Sequence, residues 1–302
     1  MDFWFLRRYF IVLTLVLILI PSVSHAEWTE WVTDLEAAYR FDDNINLTDV
    51  DSVKKDEHIF VPIISLGRYY QITDNMRLRI TGDFSGAVHR NYYMLNSFES
   101  GVTLALSQKF GIGFDIPWVR IYVKQLYLAV RDANREGILL TTGFKIGKAI
   151  NERLDIAVGY EFSYRQGNDG DTVIIDGKVF DNSVFDQSAH KGTFVLNYQL
   201  MDSLLASAGY EIRYGDIAST VGKGRVHGSE DEFDAIIHDN VYGIDGWWTY
   251  RVKVITHTLS FGLSYALTEH SSINANYSHV DGYDTNLRYE NNLAGFSLMY
   301  AL

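Results

Sequence analysis

Along most of this chain apolar and polar side chains alternate with a period of two, in runs about ten residues long. Leu154, Ile156, Val158, Tyr160, Phe162 and Tyr164 form one row, interleaved with Asp155, Ala157, Gly159, Glu161, Ser163 and Arg165. Leu78, Ile80, Phe84 and Val88 alternate in the same way with Arg77, Arg79, Thr81, Asp83 and Ser85, as do Ala294, Phe296, Leu298, Tyr300 and Leu302 with Gly295, Ser297 and Met299. Successive side chains of a strand point to opposite faces, so each run predicts a strand with one apolar and one polar face. A soluble sandwich hides its apolar face inward, but seldom carries charge after charge on the other face of nearly every long strand. A closed barrel in lipid, apolar outside and polar inside, accounts for that pattern.

Alternation and turn residues together predict about twelve strands, near 29–41, 58–70, 76–88, 98–110, 118–131, 137–148, 154–166, 191–200, 204–214, 249–267, 272–280 and 291–302. The second and fifth alternate poorly, and their facing is left open. Connections after the even-numbered strands are short (71–75, 111–117, 149–153, 201–203, 268–271), whereas 42–57, 167–190 and 215–248 are longer and acidic. Short periplasmic turns alternating with long external loops are the parity of bacterial barrels. The expected fold is therefore all-β: a transmembrane antiparallel up-and-down β-barrel forming one domain over 27–302.

Residues 1–26 read as a signal peptide. Arg7 and Arg8 precede the apolar run Tyr9–Ile20, Pro21 breaks it, and Ser24-His25-Ala26 supplies a small-x-small cleavage site. That run is well short of the roughly 20 residues that span a bilayer. No later segment is long and apolar enough for a spanning helix, so export leads to the bacterial outer membrane. The chain has no cysteine, hence no disulfide, lipid-anchored cysteine or thiolate metal site. With 26 Lys and Arg against 38 Asp and Glu, its formal net charge is −12, unsuited to nucleic acid. Its 20 Tyr, 17 Phe and 6 Trp suit interfacial girdles.

With the apolar rows facing lipid, the polar rows line the lumen, and their charges sort by strand. Strands three to six contribute Arg77, Arg79, Lys109, Arg120, Lys124 and Lys145, against Asp83 and Glu99. Strands one, seven and nine contribute Asp34, Glu36, Glu161 and Glu211, with Glu30 and Asp155, against Arg40, Arg165 and Arg213. These charges either pair across a filled interior or line a narrow pore with a transverse field that orients small polar solutes. About twelve strands lie between the eight that fill themselves and the sixteen of open porins. The two readings, a small passive or transport-associated channel and a structural or assembly-associated barrel, remain open.

In these respects the chain resembles a bacterial outer-membrane β-barrel across its length after residue 26. Tyr39-Arg40-Phe41-Asp42-Asp43-Asn44 is also similar to the first-strand exit of barrels associated with surface-polymer or surface-lipoprotein export. The class implies outer-membrane lipid and lipopolysaccharide as surroundings and the barrel insertion machinery as a partner. That machinery reads a terminal aromatic, most often Phe; here Leu302 ends the chain and Tyr300 lies two residues before it on the same face. Among lipopolysaccharide phosphates bridged by divalent cations, either Asp and Glu of the acidic rim join that network or, instead, His89, Arg90 and Lys191 near strand ends touch the phosphates directly.

Hydrolase chemistry finds only fragments. His227-Gly228-Ser229 has the spacing of a phospholipase-like His-x-Ser but lies in a glycine-rich loop, and His270-Ser271-Ser272 falls on the wrong side. Asp234, His238 and Asp239, with Asp42 and Asp43, approach the acidic and Asp/His pairs of an omptin-like protease. His227 and His238 match no defined metal site, and Asn168-Asp169-Gly170-Asp171 with Asp176 lacks a complete calcium-loop spacing. No catalytic residue, metal or cofactor is assigned.

Overall fold

Each alternating run turns back on its predecessor where Gly, Asn, Asp or Ser releases the backbone. At the turn after Asn151, for example, the Asn151 carboxamide oxygen accepts from the backbone N–H groups of Arg153 (2.9 Å) and Leu154 (3.0 Å). The computed structural model describes residues 27–168, 172–175, 178–222, 235–243, 246–284 and 287–302. The signal segment, His227-Gly228-Ser229, Asp234, Asp169-Gly170-Asp171 and Asp176 lie outside them.

Among the described residues there are fifteen strands: β1 (Glu27–Asp42), β2 (Glu57–Thr73), β3 (Met76–His89), β4 (Ser97–Lys109), β5 (Trp118–Val130), β6 (Gly137–Asn151), β7 (Leu154–Gly167), β8 (Val173–Ile175), β9 (Lys178–Phe180), β10 (Gln187–Met201), β11 (Leu204–Gly222), β12 (Ala235–Asp239), β13 (Trp247–Ala266), β14 (Ser271–Tyr283) and β15 (Arg288–Ala301). Twelve close into an antiparallel barrel, each beside its sequence neighbour except where β8, β9 and β12 intervene. β1 seals it against β15, from Asp34 opposite Ala301 to Asp42 opposite Leu293. Leu302 extends the seam by donating its N–H to the Thr33 carbonyl at 3.0 Å. Closure leaves no barrel edge with unpaired backbone groups, which hydrocarbon requires.

The outer wall is apolar and open to its surroundings: Leu104, Ile121, Phe144, Val158, Phe194, Leu259 and Phe296 are all exposed. Rows of large apolar side chains turned outward around a closed barrel form a lipid-facing belt. The open question about strands two and five is resolved here. Phe60, Ile64 and Leu66 of β2 and Ile121, Val123 and Tyr127 of β5 are the outward rows. The inward rows are also partly apolar, with Val61 and Leu126 buried, which is why the alternation blurred.

At the long-loop end the structure departs from the sequence reading. β11 runs to Gly222 rather than ending near 214, β13 starts at Trp247, and β12 pairs with β13 from Ala235 opposite Arg251 to Asp239 opposite Trp247. These segments were assigned to a loop because both their faces are buried, so no contrast between lipid and water marks their period. Ile217, Val221, Ile236, Tyr250, Val252 and Val254 pack with Val173, Phe180, Leu287 and Tyr289 in one cluster. Ala235 and Ile237 pack with Val184 and Phe185 in a second. The long loops thus fold into a cap with its own apolar core.

Candidate pore and its external cap

Below the cap the lumen is polar. β3, β5 and β6 place Arg77, Arg79, Arg120, Lys124 and Lys145 on one inward arc. Register ties them together, since Arg120 sits opposite Lys145 and Lys124 opposite Thr103 and Thr141. Lys109, the last residue of β4, is exposed at the short-turn rim beside Trp118. A cavity of about 250 Å³ is lined by Arg79, Asp83, Arg120, Tyr122, Lys124 and Lys145, with Thr81, Thr103 and Ala105.

The acids do not face this arc from an opposite wall; they interlock with its flanks. Asp34 accepts from the Arg79 guanidinium at 2.6 Å. Glu161 accepts from the Tyr122 hydroxyl at 2.6 Å and pairs with Lys191 at 2.9 Å, and Glu211 lies 3.8 Å from the same ammonium. Glu36, opposite Ile63 and Met299, sits on the inward row of β1. Asp83 accepts from the Ser65 hydroxyl at 2.7 Å and from Thr103, and Glu99 from the Ser85 hydroxyl at 2.9 Å. Among the described residues no carboxylate lies within ion-pair distance of Arg77, Arg120, Lys124 or Lys145. Arg77 instead stacks over the Tyr69 ring (4.4 Å), and Arg120 donates to the Ser107 hydroxyl (3.0 Å).

Two expected phosphate contacts are overturned. Lys191 points into the lumen, where Glu161 and Glu211 satisfy it. His89 turns inward, its side chain nearly buried 3.9 Å from Glu57. Arg90 alone of the three is exposed. Inward polar residues on β10 were assigned to a strand end because that strand begins at Gln187, four residues before the predicted start. Glu57, placed by sequence at the end of a loop, is fully buried and accepts from the backbone N–H groups of His58 (2.7 Å), Asn91 (3.0 Å) and Tyr92 (2.8 Å).

Across the mouth the cap is fixed by side chains reaching backbone. Asn46 donates to the Thr220 carbonyl at 2.9 Å, Thr220 N–H returns a bond to the Asn46 carbonyl, and Ser219 donates to the Leu47 carbonyl at 2.8 Å. Asn44 donates to the Thr48 and Glu290 carbonyls, both at 2.9 Å. The motif beginning at Tyr39 therefore folds the first long loop over the mouth. Arg135, between β5 and β6, bridges Asp239 (2.5 Å) and Asp132 (3.1 Å) while lying over the Phe185 ring. Burial opposes its charge, but Asp239, Tyr242 and Asp132 outweigh it and raise its pKa.

Among the described residues, the side chains of the hydrolase fragments are engaged elsewhere. Asp239 is occupied by Arg135, Thr220 and Thr249, while the His238 ring lies tilted against Trp248 with ring centroids 3.7 Å apart. Asp42 accepts from Asn44 N–H and Asp43 from Asn292. On the short-turn side His270 meets the Ala301 carbonyl, and Ser271 pairs with Thr268.

No protein-family model and no curated protein sequence matches the chain. Among solved structures it is similar to an outer membrane channel from Pseudomonas putida F1, with TM-score 0.55 and 11% identity over 90% of this chain and 95% of that one. The NanC porin aligns over 89% of this chain and all of its own (100%), with TM-score 0.47 and 10% identity. The CymD monoaromatic hydrocarbon channel aligns over 91% and 89%, with TM-score 0.46 and 8% identity. At such identities the likeness is one of fold. The chain is a transmembrane β-barrel with the architecture of outer-membrane channels.

Proposed function

We propose that this barrel is an outer-membrane passive channel for ions or small polar solutes, with a lumen that prefers anions and an external cap that closes it. The observation carrying this reading is the arc of Arg77, Arg120, Lys124 and Lys145, none of them ion-paired among the described residues. Charges gathered without counter-charges in a narrow, weakly screened lumen act on whatever passes. The shared architecture with a bacterial channel supports the setting. Lipopolysaccharide surrounds the external rim in this reading, with exposed Arg90 available to its phosphates. Tyr300 and Leu302 on the outward row serve the insertion machinery.

The cap favours a second reading, a structural barrel that is permanently shut. Planar-bilayer recordings of the refolded protein separate the two. Stepwise conductance is expected, and replacing Arg77 and Arg120 by Glu should move the reversal potential toward cations while the folded barrel persists. A silent wild type whose double variant is also silent and destabilised would make the barrel structural.

A further inference from the structure

The arc contains an arrangement that strand pairing alone disfavours. Arg120 and Lys145 are direct cross-strand partners on the inward face of β5 and β6. Like charges directly opposite each other destabilise a sheet. Lys124 lies on the same inward row of β5, and Arg120 spends one donor on the neutral Ser107 hydroxyl. No carboxylate among the described residues comes within ion-pair distance of either cation: Asp34 is held by Arg79, and Glu161, bound to Lys191 and Tyr122, acts on Lys145 only at longer range. A local violation of sheet rules without structural compensation marks a functional position.

These cations open onto the cavity of about 250 Å³. The one carboxylate in its lining is Asp83. Two of its lone-pair sites take the Ser65 and Thr103 hydroxyls, and an ionised carboxylate offers about four. The cavity thus presents several cationic donors and, at another point, an acceptor-only carboxylate. A simple anion matches the first feature but gains nothing from the second. A compact organic acid with two or more carboxylates and a hydroxyl matches both: its carboxylates meet Arg120, Lys124 and Lys145, and its hydroxyl donates to Asp83. Arg120 is the third residue after the turn into β5, so the site is near the short-turn end, below the cap.

We propose that the short-turn half of the lumen binds compact, multivalent hydroxy-acid anions that enter from the periplasmic side. This rests on the channel reading for the ligand's route and deepens it by naming the solute class.

Titration calorimetry on the refolded full barrel in neutral detergent tests it, with citrate, tricarballylate (citrate without its hydroxyl) and glucose as probes. Citrate should bind, tricarballylate more weakly, and glucose not at all. Arg120→Ala with Lys145→Ala should weaken citrate about tenfold or more, as lost charge-assisted bonds require. Lys148→Ala, the same charge change on the outward face, should leave binding intact. If the double variant loses its heat-modifiable folded form, Lys145→Gln replaces it and should weaken citrate in the same direction. Absence of citrate binding, or binding unchanged in the lumen variants, overturns the site. Equal affinity for citrate and tricarballylate removes the hydroxyl and Asp83 from the proposal. Bilayer conductance on the same samples is a separate readout: citrate binding without conductance defeats the channel but keeps the site, whereas conductance without citrate binding does the reverse.

Discussion

Arg135 and Asp239, 104 residues apart in sequence, meet at 2.5 Å with the Asp239 side chain almost fully buried. Asp239 belongs to β12, which pairs within the sheet with β13 alone, so this ion pair ties the cap to the β5–β6 side of the wall. Breaking a buried pair leaves an uncompensated charge and costs about 3–5 kcal/mol. Arg135→Ala should therefore loosen the cap while the barrel stays closed, because no barrel strand depends on this contact. The expected outcome is a higher open probability in bilayer recordings and faster proteolysis of the external loops. Unchanged gating with unchanged proteolysis would mean the apolar clusters hold the cap alone.

The outward belt predicts a sharp difference between neighbouring positions. Leu104→Arg places a charge on the lipid face of β4 and should cost about 2–4 kcal/mol if it lies near the bilayer midplane. Serine substitution at Ala105, one residue on but inward, should cost far less. Urea unfolding of the two variants in lipid vesicles measures the difference, and equal losses would contradict the assigned faces.

Gly101 is required by close packing rather than by a turn. A Cβ there would lie 1.9 Å from the Gln125 carbonyl oxygen and 2.8 Å from the Leu126 Cα. Backbone atoms cannot swing aside as a side chain can, so Gly101→Ala should force β4 and β5 apart. The expected result is loss of the fast-migrating folded band on unheated gels, with Gly82→Ala, where the nearest atom is 3.7 Å away, as the tolerated control.

Orientation can be read with cysteines, since the chain has none. Asp51→Cys, in the first long loop, should react with an impermeant maleimide on intact cells. Asp202→Cys, on a short turn, should react only after the outer membrane is broken. The opposite pattern would invert the barrel.

Acid should act on the loop between β9 and β10. The Ser183 hydroxyl and N–H bind the Asp181 carboxylate, with Arg251 nearby, and hold its pKa below the ordinary 3.8. A depressed carboxylate pKa contributes stability that is present above the unfolded value and lost as pH falls through the folded one. Amide exchange at Ser183 should thus be protected above about pH 4 and accelerate below 3.8. Asp181→Asn should flatten that dependence.

How much of this was legible beforehand differs by region. Period two is a local property: a strand half in lipid and half in water must alternate, so the twelve barrel strands and the inward facing of Arg77 and Lys145 could be read from neighbouring residues alone, whereas the facing of Arg120 and Lys124 on β5, where both rows are partly apolar, could not. The cap could not. Ile217, Val221 and Ile236 are buried on strands with two covered faces, where alternation carries no signal. Lys191 likewise looked like a strand-end cation, and only the register of β7 against β10, with Lys191 opposite Glu161, put it in the lumen. The separation of basic and acidic walls also failed for a spatial reason: Asp34 and Arg79 lie two strands apart, close enough for long side chains to meet. Sequence determined which face a strand residue takes wherever one face meets lipid and the other water, because that follows from the backbone pleat and the contrast between the two. Which charges touch, and how the long loops pack over the mouth, the tertiary structure decided, because these depend on distances between residues tens or hundreds of positions apart.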